Sequence, residues 1–178
     1  MLKILSIAAL LLALVIVAVL IFAATKPDTF RVQRSIAIKA PPEKIFPHIN
    51  DLHAWQAWSP YEKKDPAMRR TLSGAPAGQG AVYEWTGDKN VGQGRMEILE
   101  SAPPGRVLIK LDFIRPIEGH NTAEFTLAPQ GDTTTVTWAI FGPSPLIHKV
   151  MGMVFNLDRM IGDDFAAGLA SLKTLAEK

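Results

Sequence analysis

An uninterrupted apolar run near the N-terminus constrains this chain more than any other feature. Residues 4 to 24 contain one polar side chain, Ser6, and are otherwise small, aliphatic or aromatic. As a helix with a rise of about 1.5 Å per residue, these 21 residues span roughly 31 Å. That length matches the roughly 30 Å hydrocarbon core of a bilayer. The run therefore predicts a transmembrane helix that anchors the chain.

A cleaved secretory signal is the alternative interpretation, with Lys3 as its charged start. An apolar signal core is normally about 7 to 15 residues long, and this run is longer. The residues from Phe22 to Thr25 also make a poor cleavage site, because small residues are not correctly spaced. Both observations favour a retained, single-pass anchor.

The membrane side of the domain stays open. Lys26, Arg31, Arg34 and Lys39 follow the run, against Lys3 before it. The positive-inside rule therefore favours a cytoplasmic domain, although the last three of these charges belong to a predicted strand.

We expect two parts: an anchor over residues 1–25 and one globular domain over residues 26–178, a typical domain length. The chain has no cysteine, which excludes disulfides and thiolate catalysis. Its net charge is only +2 and it has no basic stripe, so nucleic acid is not an expected partner.

The domain alternates between short patterns of strand and helix. Phe30–Lys39 alternates apolar and polar residues, as a half-buried strand does. Two short helices follow, the second beginning after a capping Asp51 and ending before Ser59-Pro60. Glycine and proline turns then separate six strands. These are predicted at Met68–Ser73, Ala81–Thr86, Gly94–Ser101, Val107–Ile114, Asn121–Leu127 and Thr133–Phe141.

The last segment, Pro145 to Glu177, repeats apolar residues at helical spacing, with a break expected at Gly152 to Asn156. This order predicts an α+β fold. A curved antiparallel sheet of about seven strands would wrap a long C-terminal helix, behind one N-terminal transmembrane helix.

Several groups of residues together carry a resemblance to a known superfamily. They are Arg34–Pro41, Trp55-x-x-Trp58-Ser59-Pro60, Tyr83-x-Trp85-x-Gly87, and Met160-Ile161-Gly162-x-Asp164-Phe165 with Gly168-Leu169. The chain resembles the SRPBCC or START-like superfamily, which has the helix-grip fold. Within it, the chain is similar to the bacterial membrane-tethered polyketide cyclase/dehydrase-like branch. The resemblance implies an internal apolar cavity for a lipid or another hydrophobic small molecule, and a bacterial inner-membrane location.

We expect ligand-binding residues on the inner face of the sheet, on the facing helix and on the helical segment before the strands. Large aromatic and flexible methionine side chains suit such a pocket, although core packing is the competing interpretation for each. The predicted residues are Trp55, Trp58, Tyr83, Trp85, Met96, Phe113, Trp138, Asp158, Ile161 and Phe165.

Two positions in the last helix need a physical reason. Gly168 lies on the apolar stripe, which indicates either close approach of the sheet or room for a ligand. Asp158 lies near the same stripe, where a carboxylate should meet a basic partner or a polar group of a ligand. Arg34 is the predicted partner in a structural ion pair.

No catalytic constellation is evident in the sequence. There is no Gly-x-Ser-x-Gly elbow and no histidine pair at zinc-ligand spacing, and His120 beside Glu118 is a weak acid–base pair. We therefore expect no catalytic residue, metal or cofactor. The leading hypothesis is a noncatalytic, membrane-tethered domain that binds a hydrophobic molecule or lipid.

Two alternatives remain. One is a cyclase or aromatase that uses a polar cluster of Arg34, Asp158, Tyr83 and Glu97. The other is a scaffold or regulatory module for another membrane protein.

Overall fold

A computed structural model describes residues 2–154 and 156–178. The helices are α1 (Leu2–Ala24), α2 (Pro42–Asn50), a 3₁₀ helix (Leu52–Ala57), α3 (Pro60–Lys64), α4 (Leu146–Val154) and α5 (Leu157–Ala176). The strands are β1 (Thr29–Ile38), β2 (Arg69–Gly74), β3 (Ala81–Thr86), β4 (Gln93–Ala102), β5 (Arg106–Arg115), β6 (Gly119–Gln130) and β7 (Thr133–Pro143).

The seven strands of the described residues form one sheet in the order β1-β7-β6-β5-β4-β3-β2. From β2 to β6, each strand pairs antiparallel with the next along the chain, because Gly- and Pro-containing turns connect them directly. The first strand, β1, lies beside the last, β7, and β1 and β2 are the two edges of the sheet. With the long helix α5, this is the predicted α+β helix-grip fold.

The described residues form two compact units. One comprises the residues up to Phe30 together with Pro143–Leu157, and thus contains α1 and α4. The other comprises Arg31–Gly142 and Asp158–Lys178, and thus contains most of the sheet, the short helices and α5.

Helix α1 contains a segment, Ile4–Ala24, that is long and apolar enough to cross a membrane. The side chains described along it are almost all exposed, among them Leu10, Leu14 and Ile21. Length and composition are therefore those expected of a membrane span or a signal anchor.

The local predictions are largely confirmed. The side chain of Asp51 caps the 3₁₀ helix, accepting a hydrogen bond from the His53 backbone N–H at 2.8 Å. Helix α4 ends at Val154 and α5 begins at Leu157, which is the expected break. Helix α3 was not predicted: Pro60, interpreted as a stop, is its first residue, a position where proline is well tolerated.

Helix α5 buries one face, which includes Phe165, Gly168, Leu169 and Leu172. A Cβ at Gly168 would lie 2.8 Å from Cζ3 of Trp138 and 2.9 Å from Cδ of Pro60. The glycine therefore permits close approach of the sheet and of α3, which is the first of the two reasons considered.

Candidate functional site

One end of the space between the sheet and α5 is filled by aromatic side chains. The Trp138 ring stacks on Phe165 with centroids 4.0 Å apart and on Phe125 at 5.0 Å. Trp55 and Trp58 meet Trp138 edge to face at 6.2 and 5.5 Å. All five side chains are buried. We call these five residues the aromatic core; here protein side chains occupy the interior.

The two tryptophans of the 3₁₀ segment also fix it to α2. Trp55 Nε1 donates to the backbone oxygen of Ile49, and Trp58 Nε1 donates to that of His48, both at 2.9 Å. Each indole is thus satisfied by protein, as a buried N–H should be. Trp138 differs, because its buried Nε1 has no hydrogen-bond partner among the described residues.

The other end of the same inner face is less covered. Val107, Ile109, Leu111 and Phe113 alternate along β5 and therefore point to one side of the sheet. Val107 and Ile109 are 0% exposed, whereas Leu111 and Phe113 are only half-buried. The inward-facing side chains of β5 thus become less buried from Val107 to Phe113, although all four lie on the same face of the sheet. We call this region, defined by Leu111, Phe113 and their cross-strand neighbours, the open end.

The neighbours of the open end are set by strand register. Met96 lies opposite Leu111, and Gly94 lies opposite both Phe113 and Trp85. The Trp85 ring occupies the space that a Cβ at Gly94 would need. It meets Phe113 edge to face at 6.0 Å, and its Nε1 donates to Val91 O at 3.0 Å. The open end therefore has an aromatic and thioether wall.

A polar cluster lies next to this wall. The Tyr83 hydroxyl donates to Glu62 Oε1, and Arg70 Nε donates to Glu62 Oε2, both at 2.5 Å. The Glu62 side chain is only 8% exposed. Burial, followed by the hydrogen bond and charge of Glu62, raises the pKa of the Tyr83 hydroxyl above its usual range. In this cluster a neutral phenol donates a hydrogen bond to a carboxylate that also accepts one from an arginine.

Arg34 and Asp158 form the predicted ion pair. Nη2 and Nη1 of Arg34 lie 3.0 and 3.2 Å from the two carboxylate oxygens. The hydrogen bond from Arg34 lowers the pKa of Asp158. The pair lies at the surface, however, because the Asp158 side chain is 65% exposed. Asp158 lies in the first turn of α5, before Gly162, the first residue that this helix buries.

The four polar residues considered for a cyclase are not brought together. Arg34 pairs with Asp158, Tyr83 bonds Glu62, and Glu97 pairs with Arg95 at 2.8 Å. A single cluster of those four side chains therefore does not form.

His120 is held by carboxylates on an exposed surface. Its Nδ1 lies 2.8 Å from Asp112 Oδ1, and its Nε2 lies 3.4 Å from Glu118 Oε1. The hydrogen bond to Asp112 raises the pKa of His120. Among the described residues, no group of three or more His, Asp or Glu side chains is arranged to hold a metal ion.

The ten predicted residues thus fall into three groups. Trp55, Trp58, Trp138 and Phe165 belong to the aromatic core, and Trp85, Met96 and Phe113 to the open end, with Tyr83 beside it. Ile161 is half-buried one turn before Phe165, and Asp158 is exposed.

Sequence reasoning missed Phe125, Glu62 and Arg70. Phe125 was detectable, because it alternates with Ala123 and Leu127 on the inner face of β6. Glu62 lies in the unpredicted helix α3, and no local pattern marks it as buried.

The seven-stranded sheet, the long helix α5 and the apolar interior between them define a helix-grip protein of the SRPBCC type. The sequence of residues 29–177 matches the family described as "Polyketide cyclase / dehydrase and lipid transport". The chain belongs to this family.

Solved structures agree with the fold. A protein from Chromobacterium violaceum is 19% identical with a TM-score of 0.59, covering 86% of this chain and 99% of its own. A protein from Thermobifida fusca is 25% identical with a TM-score of 0.63, covering 82% and 92%. The di-domain ARO/CYC StfQ of the steffimycin biosynthetic pathway is 11% identical with a TM-score of 0.61, covering 84% of this chain and 51% of StfQ. No curated protein matches the chain.

Proposed function

We propose that this protein is a membrane-tethered SRPBCC domain that binds a hydrophobic small molecule or lipid at the open end. The observation that carries the proposal is the loss of burial along β5, from 0% exposure at Ile109 to half-burial at Leu111 and Phe113. Uncovered apolar surface costs roughly 25 cal/mol per Å². A bound apolar ligand would remove that surface from water.

The surroundings of the open end suit an amphipathic ligand with a large apolar part. Trp85, Met96 and Phe113 supply aromatic and adaptable contacts. The polar cluster of Tyr83, Glu62 and Arg70 provides hydrogen-bonding groups next to that apolar wall. We expect the ligand to place its polar group toward Tyr83 and its apolar part against Phe113.

The anchor supports a membrane-derived ligand. Helix α1 ends at Ala24 and β1 begins at Thr29, so only four residues connect them. At about 3.5 Å per residue, that connection reaches less than about 20 Å. In this proposal α1 spans the membrane, and the short connection keeps the domain within reach of lipid.

A cyclase-like activity is the second candidate, favoured by one observation. A carboxylate and a phenol, Glu62 and Tyr83, are hydrogen-bonded beside the apolar wall, and such groups can transfer protons to a bound carbonyl compound. The test is turnover of a poly-β-ketone surrogate by the wild type. Loss of that turnover in Glu62→Gln, with the fold retained, would support it.

The binding proposal is tested by native mass spectrometry of the full chain, extracted in membrane discs without detergent. We expect a stoichiometric hydrophobic molecule that stays bound after the disc lipids are stripped in the gas phase. If the chain is always released empty, while its sheet content by circular dichroism is intact, the proposal fails.

A further inference from the structure

Helix α4 has its apolar and basic residues in the reverse of the usual arrangement. Leu146, Ile147 and Met153 are 46%, 59% and 40% exposed. Lys149, in contrast, has a side chain that is only 6% exposed and bonds Asp28 Oδ1 at 2.6 Å. A helix facing water turns its charges outward and its apolar side chains inward. The outer surface of α4 therefore suits an apolar environment.

This helix is attached to the C-terminal end of α1. The two helices are in contact and belong to the same compact unit. Ala23, near the end of α1, is 0% exposed, and the Ser144 N–H that precedes α4 donates to the backbone oxygen of Asp28 at 2.7 Å. The position of α4 is thus tied to the last turn of the anchor.

The last turns of α1 are also apolar and exposed. Leu20, Ile21 and Phe22 are 42%, 63% and 52% exposed, and the Lys26 ammonium lies 4.6 Å from the centre of the Phe22 ring. A lysine just beyond the end of an apolar helix is typical of the membrane–water interface. The exposed side chains of α4 are therefore attached where α1 would leave the bilayer.

We infer that α4 is a second membrane contact, lying in the interface with Leu146, Ile147 and Met153 in the boundary between headgroups and acyl chains. Short amphipathic helices bind bilayers in this way. The inference rests on the proposed membrane span of α1. It goes beyond that span, because it assigns a lipid-facing role to a segment of the domain region.

The absence of cysteine from the chain makes the test direct. Single cysteines replace Leu146, Ile147 or Met153 in the full chain, carry an environment-sensitive fluorophore, and are reconstituted in phosphatidylcholine/phosphatidylglycerol vesicles. Vesicle lipids bear a nitroxide quencher either near the headgroup or at the end of the acyl chain. Leu12→Cys, at the middle of α1, and Asp132→Cys, in the exposed β6–β7 turn, are the matched controls.

We expect all three α4 probes to be quenched about twofold more by the headgroup-proximal nitroxide than by the terminal one. Leu12→Cys should show the opposite order, and Asp132→Cys should show no quenching. If Leu12→Cys is quenched but the α4 probes behave like Asp132→Cys, the inference is wrong and the anchor stands. If the α4 probes are shielded without lipid quenching, a second copy or a protein partner covers them, and the inference is likewise overturned. If Leu12→Cys itself is not quenched, the anchor and the inference fail together.

Discussion

The guanidinium of Arg34 lies where a side chain at Gly162 would be. A Cβ on Gly162 would collide with Nη2 and Cζ of Arg34, and the same Nη2 bonds the Asp158 carboxylate at 3.0 Å. The glycine in α5 thus leaves room for an arginine from β1 to reach across the helix. This explains a residue that otherwise costs a helix about 1 kcal/mol relative to alanine.

We therefore expect the effect of Gly162→Ala to depend on Arg34. In an Arg34→Ala background, the alanine should stabilise the chain by about 1 kcal/mol through helix propensity. In the wild type this gain should be offset, since the guanidinium is displaced, and the pKa of Asp158 should rise toward its ordinary value. Chemical denaturation of the four chains measures the difference. Equal effects in both backgrounds would contradict the contact.

Gly168→Ala should destabilise the chain despite the same gain in helix propensity. Its Cβ would lie 2.8 Å from the Trp138 ring and 2.9 Å from Pro60, and both groups are rigid. Overpacking of this kind costs about 1–3 kcal/mol. Thermal unfolding measures it, and Trp138→Phe, which shortens the ring, should reduce the cost. A stabilised Gly168→Ala chain would show that the contact is not close.

The pKa values of two histidines should be shifted in opposite directions from the ordinary value. The hydrogen bond with Asp112 raises the pKa of His120 above its ordinary value of about 6.5. Burial, followed by the charge of Lys44, lowers that of His48. NMR titration should resolve the two midpoints, and Asp112→Asn should lower only that of His120. Midpoints in the reverse order would contradict both assignments.

Each histidine makes the stability of the fold depend on pH in a definite direction. The stabilisation that His120 contributes is fully present below about pH 6.5 and is lost as pH rises through its higher folded pKa. His48 acts in reverse, so stability falls as pH drops through its unfolded pKa toward the lower folded one.

The chain has only two tyrosines, Tyr61 and Tyr83, and both should resist ionisation. Burial is the main cause that raises the pKa of each, with added contributions from Asp164 and Glu62 respectively. At pH 10, where a free phenol is about half ionised, phenolate absorbance should be far below one group per chain. The two phenols should ionise only as the chain unfolds, because a raised phenol pKa makes the stability of the fold decrease at high pH. Half-ionisation of both in the folded chain would contradict the burial.

Much of the fold was predictable because it depends on local patterns. Alternation located the strands, the glycine and proline turns separated them, and the stripe in α5 supplied the partner for the sheet. The Arg34–Asp158 pair was predictable for the same reason, since a carboxylate beside an apolar stripe needs a cation. The exposure of this ion pair was not predictable, because distant elements decide whether the start of α5 is covered.

The sequence could not predict which of the site residues lie in the aromatic core and which lie at the open end. Trp138 and Trp85 are both aromatic residues on the inner face of a strand, yet one lies in the aromatic core and the other at the open end. Cross-strand register and the position of α5 along the sheet decide which is filled, and neither is a property of local periodicity. Glu62 became a partner of Tyr83 only through the packing of α3.

The central claim is that the open end holds a hydrophobic molecule, and neighbouring residues on β5 test it most directly. Phe113 faces inward and is half-buried, whereas Ile114 faces outward and is 49% exposed. The measurement is native mass spectrometry of Phe113→Glu and Ile114→Glu chains from membrane discs. A carboxylate on the inner face should weaken binding by about 1.4 kcal/mol or more, which raises the Kd at least about tenfold. We expect Phe113→Glu to carry much less ligand than the wild type and Ile114→Glu to be loaded like the wild type; equal occupancy in the two folded variants would contradict the account.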